Sequence, residues 1–169
     1  MLLRSLVLTA LALGCRPSES AEPPGFEGLV NGFLEGDYAL VMRRCPVELG
    51  ESGIDPALSE WCLIGLPAAR RLALDTRGAR AFVEAVCLDA PTGRPRGEVG
   101  LREFYVREIA RWLGLALRAQ GREATLNEAV DATVVEFSAL CRVEAGAVRQ
   151  GLDTQIEEPG FRRVGARRR

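Results

Sequence analysis

A chain of 169 residues with 47 % hydrophobic content is long enough for one domain with a real core. It carries 22 basic and 23 acidic residues and no histidine, which removes the usual general base, the usual metal ligand and the usual near-neutral pH switch together. The formal balance of −1 hides a split: five of the 22 basic residues lie in 161–169, FRRVGARRR, leaving 17 basic against 23 acidic, a net of −6, over the remainder.

The first 20 residues, MLLRSLVLTALALGCRPSES, place one positive charge, Arg4, before an apolar run from Ser5 to Leu13. That is the layout of a secretory signal, and it is too short for a membrane span of about 20 residues. Leu11-Ala12-Leu13-Gly14-Cys15 resembles the lipobox of bacterial lipoproteins, which implies cleavage after residue 14 and lipidation of Cys15. Arg16 stands where an aspartate would favour the inner membrane, so the expected location is the periplasm, anchored by lipid in the outer membrane. Nucleic acid is then not an expected partner, and the basic end reads as a solvated tail. Residues 15–30, rich in Pro, Ser, Glu and Gly, read as a flexible tether.

A helical domain is expected over 31–145. Asp37 can cap a first helix whose apolar positions Tyr38, Val41, Met42 and Cys45 fall at helical spacing and which ends at Cys45. PVELGESGIDP reads as a loop. Asp55-Pro56 starts the next helix, with Leu58, Trp61, Cys62, Gly65, Leu66 and Ala69 on one side and Pro67 expected to kink or split it. DTRG at 75–78 is a break, and ARAFVEAVC is a short helix ending at Cys87. After the loop LDAPTGRPRGEVG comes the longest helix, burying Leu101, Tyr105, Ile109, Trp112, Leu113, Ala116 and Leu117, with Gly121 at its end. Thr125-Leu126-Asn127-Glu128 matches a capping box. The helix behind it buries Leu126, Val130, Thr133, Val134, Phe137, Leu140 and Cys141. Residues 146–169 read as a weakly ordered basic tail. The expectation is an all-α fold, a small four- to five-helix domain stapled by two disulfides.

With Cys15 set aside for lipid, Cys45, Cys62, Cys87 and Cys141 remain, an even number in an exported chain. Three connectivities exist. Up-and-down neighbours put Cys45 and Cys62 at one pole and Cys87 and Cys141 at the other, so those two pairs rank first. Among the motifs that carry chemistry, the chain contains no CxxC, no GxxxxGK[ST] and no GxGxxG. No metal and no cofactor is expected, and an enzyme is the weakest class.

Four stretches form a recognisable order: Gly36-Asp37 to Cys45; Cys62-Leu63-Ile64-Gly65; Phe82 before Cys87-Leu88-Asp89-Ala90-Pro91; and Ala129 to Phe137 followed by Ser138-Ala139-Leu140-Cys141. Over residues 32–142 the arrangement resembles the Rap/Tai-type immunity proteins, small exported helical proteins that protect bacteria from type VI secretion amidase toxins. The chain departs from that pattern at Ile64, where a Tyr is usual, at Pro91, one place late, at Leu140, where Pro is frequent, and in a longer segment after Cys141. The resemblance implies a binding protein that blocks a peptidoglycan amidase effector, and members that pair as homodimers. The partner is expected at the loop Pro91–Gly97 and the start of the long helix, through Arg94, Arg96, Glu98, Arg102 and Glu103. The other readings are a helical envelope lipoprotein with a structural role and a small acid-stress chaperone using its many carboxylates.

Overall fold

A computed structural model describes residues 25–50 and 55–156. The signal sequence, Cys15 and the basic segment 161–169 lie outside the described residues. Seven helices and no strand are found among them: α1 Phe26–Glu35, α2 Tyr38–Gly50, α3 Pro56–Leu72, α4 Thr76–Cys87, α5 Val99–Ala119, α6 Glu123–Cys141 and α7 Ala145–Ile156. The all-α expectation holds, with more helices than the four or five expected. No helix among the described residues is long and apolar enough to cross a membrane.

α5 is the axis of the domain. It packs against α1, α3, α6 and α7, while α2 and α4 attach through α3, and α4 also meets α6. Val106, Ile109, Ala110, Leu113, Ala116 and Leu117 of α5 are buried. Around its midpoint Trp112 meets Trp61 edge-on at 5.7 Å, and Phe33 lies 5.7 Å from Trp61 and 6.3 Å from Trp112. Such edge-to-face aromatic pairs add about 0.5–1.5 kcal/mol each beyond the area they bury. Glu136 of α6 receives Arg71 of α3 at 2.6 Å and Arg80 of α4 at 3.2 Å, so one carboxylate joins three helices. Cys45 is bonded to Cys62 and Cys87 to Cys141, with all four residues buried. Closing loops of 17 and 54 residues restricts the unfolded chain by about 3 and about 4 kcal/mol in the chain-entropy view.

Several local expectations are corrected. Helix α1 begins inside the expected tether. Its glycines disfavour a helix in isolation, but Leu29 and Phe33 are fully buried, and tertiary burial outweighs propensity. The first helix does not stop at Cys45, and α2 carries Pro46 in its interior and continues to Gly50. Residues 76–78 of the expected break form the first turn of α4, where Asp75 accepts the Gly78 amide at 2.9 Å. The Thr125 capping box is not used: α6 begins two residues earlier, and the Thr125 hydroxyl donates to Arg122 O at 3.2 Å. The expected tail starts as α7, held by buried Val148 and Leu152. Asp37 and Asp55 do cap, accepting from Leu40 N at 3.0 Å and Ala57 N at 2.9 Å.

Pro67 does not split α3, which runs unbroken to Leu72 with Pro67 buried inside it. A proline has no amide hydrogen, so the carbonyl four residues earlier, that of Leu63, loses its helical donor. The Tyr105 hydroxyl of α5 supplies the replacement, donating to Leu63 O at 3.1 Å. Burial pushes the Tyr105 pKa up. The folded state therefore keeps the proton after the unfolded chain begins to lose it near pH 10. The stability tied to this group is complete below that pH and is lost as pH rises beyond it. Tyr105→Phe should cost about 1 kcal/mol at pH 7 by leaving a carbonyl without its donor. The cost should shrink between pH 9 and pH 11, where only the wild type has a proton to lose. Urea unfolding of both proteins across that range checks this, and a gap that does not change with pH would contradict it.

Candidate interaction face at the α4–α5 loop

The stretch Leu88–Glu98 between α4 and α5 has no helix, yet it is hydrogen-bonded throughout. Leu88 and Pro95 form an antiparallel bridge. Asp89 organises the turn: its amide donates to Arg94 O at 2.8 Å, its carbonyl accepts Gly93 N at 2.7 Å, and its carboxylate accepts the Thr92 hydroxyl at 2.7 Å. Arg96 N donates to Cys87 O at 2.8 Å, and the Arg96 guanidinium returns to Leu88 O at 2.8 Å. Gly93 and Gly97 both have φ of +63°, a left-handed conformation that glycine adopts without strain. The chain therefore crosses between helices as a closed hairpin-like turn.

Arg102, in the second turn of α5, fixes this turn to the helix ends. Its Nε donates to Cys141 O at 2.9 Å, and its Nη1 donates to Arg96 O at 3.1 Å and Gly97 O at 2.6 Å. Cys141 is the last residue of α6, so its carbonyl is one of those a helix leaves without an internal partner. A guanidinium there satisfies it and suits the negative end of the helix dipole.

The five residues expected to meet a partner thus take different positions. Arg94 and Glu98 are exposed, and neither forms an ion pair among the described residues. Arg96 is 53 % exposed at its side chain but is engaged with Leu88 O and lies 3.9 Å from Asp89. Glu103 is half-buried. Arg102 is taken up by three backbone carbonyls, so it shapes the face from inside rather than standing on it.

The structure adds residues that sequence reasoning missed. Leu101 is 64 % exposed, against its expected place in the buried stripe, and Val99 and Phe104 are 54 % and 47 % exposed. Leu101 keeps a four-residue spacing with Tyr105, but it lies roughly 120° around the helix from the centre of the stripe formed by Val106, Ile109, Leu113 and Leu117, so it faces outward. Val106, absent from the expected stripe, is buried instead. The Arg107 guanidinium stacks over the Phe104 ring at 5.4 Å, which holds that ring in place while leaving part of it open. Leu63 of α3, at 36 % exposure, is joined to α5 through the hydrogen bond from Tyr105 to its carbonyl. A sequence signal existed: Val99, Leu101 and Phe104 cannot all lie on one buried stripe of a helix with 3.6 residues per turn.

Comparison with protein-family models, with curated proteins and with solved structures finds no match to the chain. Among the described residues no three His, Cys, Asp or Glu side chains gather as a metal site would require.

The turn geometry makes a direct prediction. A Cβ added at Gly93 would meet no atom within 4 Å, so Gly93→Ala carries only the conformational cost of a left-handed alanine, about 1–2 kcal/mol. Chemical denaturation should show that loss with the native circular dichroism retained. A neutral substitution would mean that the turn does not hold this conformation.

Proposed function

We propose that the protein is an exported, lipid-anchored immunity protein of the Rap/Tai type, which binds and blocks a type VI secretion peptidoglycan amidase by occupying its cleft. The role is binding, not catalysis, and the location is the periplasm, with the lipid on Cys15 in the outer membrane. The single observation that carries the reading is the α4–α5 turn. It is internally hydrogen-bonded, joined to a disulfide at its base and flanked by exposed Leu101 and Phe104.

The physical logic follows from what binding costs. Ordering a loose loop on association consumes interaction energy, and a turn already closed on itself avoids that loss. A cleft plug also needs one or two apolar anchors surrounded by polar groups. Leu101 and Phe104 supply the anchors, and Arg94 and Glu98 the surrounding charges. Two disulfides support an oxidising compartment, and the acidic body would speed encounter with a basic toxin.

The test mixes the oxidised protein with type VI secretion peptidoglycan amidases and follows complex formation and hydrolysis of peptidoglycan. A one-to-one or two-to-two complex with activity abolished is expected. Leu101→Asp and Phe104→Ala should each weaken the complex about 30-fold, the effect of losing roughly 2 kcal/mol at a hot spot. Leu101 is 64 % exposed, so Leu101→Asp should leave the thermal midpoint unchanged, whereas Phe104→Ala, which removes a ring 47 % exposed and stacked under Arg107, should lower it slightly. Full amidase activity in the presence of excess folded, oxidised protein would end this reading.

A further inference from the structure

We infer that the Cys87–Cys141 disulfide is a redox latch on the α4–α5 turn, so that the turn takes its binding shape only after this bridge has formed. What the turn binds rests on the function proposed above, whereas the dependence of its shape on the bridge does not.

The argument lies in how Arg96 is held. Its amide donates to Cys87 O at 2.8 Å. Its carbonyl accepts Arg102 Nη1 at 3.1 Å, and the same guanidinium donates through Nε to Cys141 O at 2.9 Å. One half-cystine grips Arg96 from the amide side, and the other grips it from the carbonyl side through Arg102. Both grips are satisfied together only while the ends of α4 and α6 stay at the separation the bridge sets, with Cα atoms 5.0 Å apart. The other bridge has no such reach. Cys45–Cys62 joins α2 to α3, and neither residue donates to or accepts from the turn.

Closing the latch is a two-electron oxidation. Two thiols lose two protons and two electrons to the disulfide of a thiol–disulfide oxidoreductase, which leaves as its dithiol, and a mixed disulfide connects the two states. A dithiol reverses the sequence. Cys87 and Cys141 are 1 % and 0 % exposed, so attack requires the helix ends to part, and the folded latch stays closed once formed. A chain still reduced before export would carry its helices without the shaped turn.

The experiment is amide hydrogen exchange on the full chain, comparing the oxidised wild type with Cys87→Ser/Cys141→Ser, Cys45→Ser/Cys62→Ser and Arg102→Gln. The amides of Asp89, Gly93 and Arg96 report the turn, and those of Ile109 and Leu113 report the core. With the core rate divided out, the Cys87/Cys141 variant should exchange at the turn at least tenfold faster. The Cys45/Cys62 variant should not. Arg102→Gln, with both bridges intact, should speed the Arg96 amide in the same direction. Unchanged turn exchange in the Cys87/Cys141 variant, or equal loosening by both cysteine pairs, would overturn the latch. If that variant does not fold, Arg102→Gln decides alone, and no change at Arg96 overturns it. An amidase that ignores the protein would leave this readout untouched, so the two readings fail separately.

Discussion

The end of α6 is where the constraints of this molecule converge. Cys141 closes that helix, and it is held at both of its functional ends: the sulfur is bonded to Cys87, and the carbonyl accepts Arg102 Nε. A helix terminus normally leaves such carbonyls to water or to a following turn. Here the covalent bond fixes where α6 stops relative to α4, and the guanidinium fixes where α5 starts relative to both. The turn between α4 and α5 inherits its shape from those two anchors.

The opposite problem, a helix interrupted from within, is solved by a similar economy. Pro67 removes a donor from the middle of α3, and a lone defect of that kind costs about 3 kcal/mol in an isolated helix. Tyr105 crosses from α5 to donate to the deprived carbonyl of Leu63. α5 thus makes good two backbone deficits on neighbouring helices, one through Tyr105 and one through Arg102, using side chains three residues apart. That explains why the longest helix is also the axis. Its buried side anchors the aromatic group of Trp61, Trp112 and Phe33, while its first turns supply the polar groups that neighbouring backbones lack.

Residues whose role is local were legible in the sequence, and residues whose role depends on a distant partner were not. Asp37, Asp55 and Gly121 follow from capping and helix-end rules that need only a few neighbours. The four cysteines fall on the apolar sides of their helices, and up-and-down packing is enough to rank the pairing that the structure contains. Helix α1 was hidden because glycines lower its intrinsic preference, and two of the rings that Phe33 packs against, Trp61 and Trp112, are distant in sequence. Pro67 reads as a break because nothing near it in the chain announces Tyr105. Arg102 reads as a surface charge for the same reason: its three carbonyl acceptors belong to a loop and to a helix end almost forty residues away. Capping boxes fail in the other direction, as Thr125 shows. A local motif is only a candidate until packing decides where the helix begins.

The placement of exposed apolar groups separates the proposed face from the rest of the surface. Isolated exposed hydrophobic residues are normal on a folded domain, and Leu74 and Val135 stand alone in this way, one in the turn after α3 and one on the outer side of α6. Leu101 and Phe104 differ because they lie three residues apart on one side of α5, close after a turn whose backbone is already committed. A cluster on a mobile segment would lose much of its value as an anchor, since binding would have to freeze it. A rigid turn with no apolar group would offer orientation without the hydrophobic burial that drives association. At the start of α5 both are present: Arg102 makes the support stiff from beneath, and Leu101 and Phe104, three residues apart on one side of the helix, stand 64 % and 47 % exposed for a partner to cover.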